Sequence, residues 1–250
     1  MNDAGQTIAV WFSCGVASAV AAKLTVDLYG EHNAIRILNT PVKEEHKDNR
    51  RFLRDVEKWV GQSIEVVQNP KWKSCAHVWS KCQMSNIHGA PCTFHLKKQA
   101  RYIWEKENHV DWHVLGFTKD EEARHNKFVQ TECDNLLPVL IENNFTKQDC
   151  FDYVVSAGIE IPKMYKLGYP NANCIGCVKA TSPTYWNHVR KTHPKVFEER
   201  CVQSDRLNSK LVRYKGERIH LRDLPIDAVG RPMKEFNFEC GAFCEEYVNE

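Results

Sequence analysis

The 250-residue sequence has no apolar run of about 18 residues, the length a helix needs to cross a bilayer. Its opening Met-Asn-Asp-Ala-Gly-Gln lacks the basic and apolar regions of a signal peptide. A cytoplasmic protein with no membrane partner is the resulting expectation. Charge of one sign is also missing: the formal net charge is +2 although 26% of residues are charged, so bulk electrostatics argue for neither nucleic acid nor membrane. Nor are the cysteines even in number. Eleven of them, in a chain without a secretory leader, speak against a disulfide framework and for metal, cluster or redox use. Cys133, Cys150 and Cys201 lie in surroundings that suit small core residues.

What is present begins at residues 8–23, where the apolar run Ile8–Phe12 suits a strand buried on both faces and the alanine-rich run after Ser18 suits a helix. Between them, Ser13 and Ser18 bracket Gly15. Small side chains there leave backbone N–H groups open at a helix N-terminus, which favours an anion such as a phosphate. The spacing is not G-x-x-x-x-G-K-[ST], and it holds too few glycines for G-x-G-x-x-G. A strand–turn–helix packed tightly through small residues would read the same way.

Downstream, 33–40 reads as a second strand stopped by Pro41, 48–60 as a helix with Gly61 as its stop, and 63–68 as a third strand. This β-α-β-α-β alternation predicts a parallel sheet with right-handed crossovers, placing ligands beyond the strands' carboxyl ends, where Asn39 and Thr40 lie. Residues 70–91 break the rhythm as a loop-rich insertion with the make-up of a lid. A helix from Pro91 to about Asn108, a fourth strand over 111–118 and a helix from Lys119 follow. Thr146-Lys-Gln-Asp149 is a capping box, and Gly158 closes its helix. Two helices, 182–191 and 194–207, precede a basic hairpin turning at Lys215-Gly216. The chain divides into a nucleotide-binding α/β domain, 1–160, and a C-terminal extension, 161–250.

Ser13-Cys14-Gly15-Val16-Ala17-Ser18 resembles the S-G-G-x-[DKT]-S pyrophosphate loop of the adenine-nucleotide α-hydrolase group, which includes ATP pyrophosphatases and phosphoadenosine phosphosulfate (PAPS) reductases. Cys14 stands in place of a Gly and Ala17 in place of the frequent Asp, which weakens the case for Mg²⁺-assisted ATP cleavage. The resemblance continues in order. Cys92-Thr93-Phe94-His95-Leu96-Lys97 is similar to C-T-x-x-L-K, and Gly116, Glu121 and Arg124 fall into G-x-x-x-x-E-x-x-R. Leu136–Ile141 resembles the short fifth strand, and Tyr165, Gly168, Cys174 and Cys177 fall into Y-x-x-G-x-x-x-x-x-C-x-x-C.

The resemblance implies a Rossmann-like α/β fold with a mostly parallel five-stranded sheet, helices on both faces and a cysteine-bearing helical extension. Ser13 to Ser18, Asn39, Thr40 and Gly116 would hold ATP or another adenine nucleotide, with Lys97 and Arg124 at its anionic groups. A C-x-x-C pair alone suits zinc, a cluster or a redox dithiol. In the resembled fold Cys92 faces Cys174 and Cys177, implying a [4Fe–4S] cluster, or zinc, with Cys240 or Cys244 as fourth ligand.

Members of this kind adenylylate a substrate and pass sulfur to tRNA or DNA, which implies a nucleic-acid acceptor, a sulfur donor and a homo-oligomer. A rival reading is equally concrete. Glu239-Cys240-Gly241 resembles the E-C-G-[LI]-H tail of sulfonucleotide reductases, with Cys240 as nucleophile and a thioredoxin-type reductant, although the motif's His is absent here. A zinc-stabilised nucleotide or nucleic-acid binder is the third.

Overall fold

A computed structural model describes residues 5–85, 89–233 and 242. Its centre is β1, Thr7–Trp11, buried from Ile8 onward. Such a strand needs neighbours on both edges. It pairs in parallel with β2, Ala34–Asn39, and with β4, Trp112–Val114. β3, Ile64–Val66, and β5, Leu136–Leu137, complete a five-stranded sheet in the order β3-β2-β1-β4-β5, with all four pairings parallel. The chain leaves β1 toward β2 and returns on the other side as β4. That reversal opens a crevice beyond the carboxyl ends of β1 and β4, where doubly wound sheets bind ligands.

The helix α1, Val16–Tyr29, packs its alanine face against the sheet and the Lys147–Ser156 helix. The helix α2, Asn49–Val60, buries Phe52, Val56 and Val60, and Gly61 ends it in the left-handed conformation at φ 78°. The 146–149 capping box and the hairpin are present as the spacing predicts. β6, Val212–Tyr214, and β7, Glu217–Ile219, turn through Lys215 and Gly216, both at positive φ.

Three expectations change. The fifth strand ends at Leu137 because Pro138, with no N–H for the ladder, starts a short helix, Val139–Glu142, in place of strand 139–141. The helix expected to reach Asn108 stops at Glu105 after a π-type segment, Phe94–Lys98. The described part of the 70–91 insertion packs inward. It carries a short helix, α3, Cys75–Trp79, whose Cys75, Val78 and Trp79 join Met84 in a second core with Leu96, Met164, Trp186 and Leu221. The insertion's apolar residues are the inner wall of that core. No described helix is long and apolar enough to cross a membrane.

Asp48 ties the two cores together. Its carboxylate accepts from Arg51 Nε and Nη2 at 2.8 and 2.9 Å and from the Lys163 amide at 2.8 Å. The Arg51 hydrogen bonds hold it below the usual carboxylate range. Asp48→Asn is expected to cost about 1.5–3 kcal/mol at neutral pH, the scale of hydrogen bonds to a charged group. A depressed folded-state pKa contributes stability above the unfolded value, about 3.9, and loses it as pH falls through the folded one. Urea unfolding of both proteins should therefore give a gap that closes in that acid window.

Candidate functional site

The turn after β1 is braced from inside. Phe12 N–H still donates to Leu38 O at 2.8 Å, so the next residues must leave the sheet abruptly. Cys14 does so at φ 60°, a left-handed conformation that normally favours glycine. Asn39 Nδ2 donates to Phe12 O at 2.7 Å and reaches Cys14 Sγ at 3.6 Å. The Cys14 thiol is pushed far up by burial and by Glu45, so it stays neutral. Ser18 folds the loop: its Oγ accepts from Ser13 N–H at 3.1 Å and donates to Gly15 O at 3.0 Å. Tyr165 Oη covers it, accepting from Val16 N–H at 3.4 Å.

Above this loop lies a cleft partly open to solvent. Its lining combines Ser13, Gly15, Thr40, Lys97 and Arg124 with the apolar Trp11, Phe117 and Phe128. Gly116 lets β4 approach the loop: a Cβ there would lie 2.8 Å from Ser18 N. Glu121 has two tasks. It closes a capping box with Thr118 and accepts from Arg124 at 2.7 Å, while the guanidinium lies 5.1 Å from the Phe117 ring centre.

Ser13, Gly15, Thr40, Lys97, Gly116 and Arg124 line one cavity. Cys14, Val16, Ala17 and Ser18 are buried in the bend and first helical turn, and Asn39 points inward to the loop's underside.

A second cavity, about 350 Å³, is lined by Cys75, Cys92, Cys174 and Cys177. Cys75 is hydrogen-bonded to both Cys174 and Cys92, which raises its own thiol well above the ordinary value. Cys92, at the start of the helix that opens with Pro91, is lowered chiefly by the hydrogen bond from Cys75, with Lys179, Trp79 and the Thr93 amide adding to it. The hydrogen bonds and the Lys179 charge all favour the ionised form of Cys92, against its burial. Among the described residues no group of three or more His, Cys, Asp or Glu closes to the spacing of one metal ion.

The sequence reading missed Cys75 as a member of this group, because 16 residues separate it from Cys92 and no C-x-x-C spacing marks it. It also missed Glu44 and Glu45. Glu44 accepts from the Cys75 and Ala76 amides at 2.9 and 3.1 Å, and its carbonyl accepts from Ile175 N–H at 3.0 Å. Glu45 pairs with buried Lys97 at 3.1 Å. Lys97 lines both cavities, so this dipeptide links the two sites. Arg200, 3% exposed, donates to the carbonyls of Ile175 and Gly176 and fixes the turn between Cys174 and Cys177. Cys240 and Cys244 lie outside the described residues, whereas Ala242 is buried and lines the first cavity.

Comparison with known proteins bears on the whole arrangement. No curated protein matches the chain. Among solved structures, the phosphoadenylyl-sulfate (PAPS) reductase of Candida auris in its phosphate complex is similar at 11% identity with a TM-score of 0.49, over 67% of this chain and 80% of that one. The family model of the phosphoadenosine phosphosulfate reductase domain matches residues 7–183, from the start of β1 past Cys177, and the chain belongs to that family.

Proposed function

We propose that this protein is an adenine-nucleotide-dependent enzyme of sulfur metabolism that adenylylates its acceptor and carries a [4Fe–4S] cluster on Cys75, Cys92, Cys174 and Cys177. The observation that carries the reading is Lys97, which lines the first cavity and the four-thiol cavity together. In the first cavity the triphosphate lies over the Ser13–Ser18 bend. When an acceptor attacks the α-phosphate and pyrophosphate leaves, Lys97 and Arg124 stabilise the charge that develops on the leaving oxygens. Ala17 offers Mg²⁺ no carboxylate, and Glu45 and Glu121 are engaged by cations. A magnesium ion would therefore rely on phosphate oxygens and water.

The donor set fits the cluster on its own chemistry. Four buried thiols line this cavity, and the Trp79 indole N–H beside Cys92 is a donor suited to a cluster sulfur. Among the described residues these thiols do not close to the spacing of one metal ion, which suits a four-iron body better than a single zinc ion, whose ligands converge on one point. When bound, the cluster would supply redox or sulfur chemistry next to the nucleotide. The acceptor surface we assign is the basic hairpin with Arg213, Lys215 and Arg218, which joins the cysteine segment through the Arg213 amide and Thr181 O at 2.8 Å. Nucleic acid is the acceptor such a surface favours.

Anaerobically purified protein should be brown, absorb broadly near 400 nm and contain about four irons per chain. Cys75→Ala should lose most of that absorbance. Colourless protein loaded with zinc would overturn the cluster. Pyrophosphate release from ATP that depends on an added nucleic acid is the expected activity. Ala242 at the nucleotide cavity favours one second reading, a sulfonucleotide reductase with Cys240 as nucleophile. Sulfite release from PAPS with thioredoxin, lost in Cys240→Ser, would select it.

A further inference from the structure

Away from both cavities, a turn after α3 carries a third arrangement of reactive side chains. Cys82 Sγ lies 3.9 Å from His95 Nε2, and His95 Nδ1 lies 2.9 Å from Gln99 Oε1. We propose that Cys82, activated by His95, is a nucleophilic thiol that exchanges with the sulfur–sulfur bond of small disulfides or persulfides.

The imidazole's proton is placed by a chain of hydrogen bonds that begins on the backbone. Lys71 N–H donates to Asn69 Oδ1 at 3.0 Å, which fixes the amide so that Asn69 Nδ2 donates to His95 O at 2.8 Å and to Gln99 Oε1 at 3.2 Å. Gln99 Oε1 is therefore an acceptor, and the group that donates to it from the ring is Nδ1–H. Nε2 is left with its lone pair toward the Cys82 thiol. The ring is also held in place: Trp72 packs at 4.6 Å between centroids and Phe94 at 5.2 Å, edge to face. His77 and Lys71 both sit against Trp72, and Lys81 adjoins Cys82 in the chain.

Access separates this thiol from the rest. Of the nine described cysteines, seven are buried, and only Cys82 and Cys133 are half-exposed. Cys133 has no histidine beside it. Its S–H donates to Asn135 Oδ1 at 3.2 Å, and burial pushes the thiol up to about 11. A general base within reach of an accessible thiol is the arrangement that nucleophilic sulfur chemistry requires.

The step balances without an outside oxidant or reductant. His95 Nε2 takes the S–H proton, the thiolate attacks one sulfur of the S–S bond, and the other sulfur leaves with the bonding pair and takes the proton from the imidazolium. A disulfide leaves a mixed disulfide on Cys82 and a free thiol. A persulfide attacked at its outer sulfur leaves that sulfur on Cys82 and also releases a thiol.

The test incubates the full chain at pH 7 with oxidised glutathione in one arm and glutathione persulfide in the other, following the Cys82 and Cys133 peptides by mass spectrometry. Cys82 should react at least tenfold faster than Cys133, gaining a glutathionyl group in the first arm or one sulfur atom in the second. The arm that reacts identifies the source. His95→Gln should slow Cys82 at least tenfold at pH 7. Gln99→Leu, which keeps the ring but frees its tautomer, should slow it several-fold. No reaction in either arm, equal rates at the two cysteines, or a Cys82 rate unchanged by His95→Gln would overturn the proposal. Should His95→Gln fail to fold, an unchanged rate in Gln99→Leu would do so instead.

Discussion

Gly116→Ala is expected to weaken ATP binding at least tenfold and to destabilise the fold by about 1–3 kcal/mol, the range for forcing a methyl group into a packed interior. A Cβ at this position would lie 2.8 Å from Ser18 N, 3.0 Å from Ser18 Cα and 3.1 Å from Ala17 C. All three are backbone atoms of the first turn of α1, so no side chain can swing away. Either the end of β4 or the phosphate bend must shift, and both border the same cavity. Gly15→Ala is the informative comparison. Its new methyl would meet Tyr165 Oη at 3.2 Å, the free end of a side chain, and should cost less stability. Calorimetric titration with a non-hydrolysable ATP analogue, beside urea unfolding, measures both. Wild-type affinity in Gly116→Ala would show that the cavity over the bend does not hold the nucleotide.

Lys97→Met carries the second large effect. Lys97 and Glu45 are 3.1 Å apart with side chains only 5% and 8% exposed, so removing the ammonium strands a carboxylate inside the protein. Breaking a buried pair from one side costs about 3–5 kcal/mol, far more than a surface ion pair contributes. Converting the partner as well, in Lys97→Met with Glu45→Gln, removes the stranded charge and should restore most of the stability. It should not restore function. If Lys97 neutralises the leaving pyrophosphate, the double variant folds near its normal midpoint yet binds ATP at least tenfold more weakly. A double variant that binds ATP normally would confine Lys97 to a structural role.

Local signals in the sequence carried the elements that depend on local physics. The apolar run before Ser13 reads as a fully buried strand, Gly61 as a helix stop, Thr146 and Asp149 as a capping box, and Lys215-Gly216 as a tight turn. Each rests on neighbours a few residues away. The failures are also physical. Leu136–Ile141 looks like one strand because its apolar run is continuous, yet Pro138 removes the ladder donor and the second half coils into a helix. The stretch 70–91 looks like a mobile loop because its polar and small residues hide the spacing of Cys75, Val78, Trp79 and Met84, which only a partner core reveals.

For the site the division is sharper. The small-residue bend and the Cys174/Cys177 pair are legible because turn geometry and ligand spacing leave marks within a few residues, whereas Lys97, Arg124 and Cys92 are legible through the ordered family resemblance. Cys75, the Glu44–Glu45 link and the His95–Cys82 contact are not, since each joins segments whose approach is set by packing of the second core. The amino-acid order by itself determined a parallel α/β sheet with a tight small-residue bend after its first strand. Tertiary structure alone decided which thiols gather and which lysine stands between the two cavities. The reason is that long-range convergence depends on how whole elements pack, and packing is a property of surfaces rather than of any short run of residues.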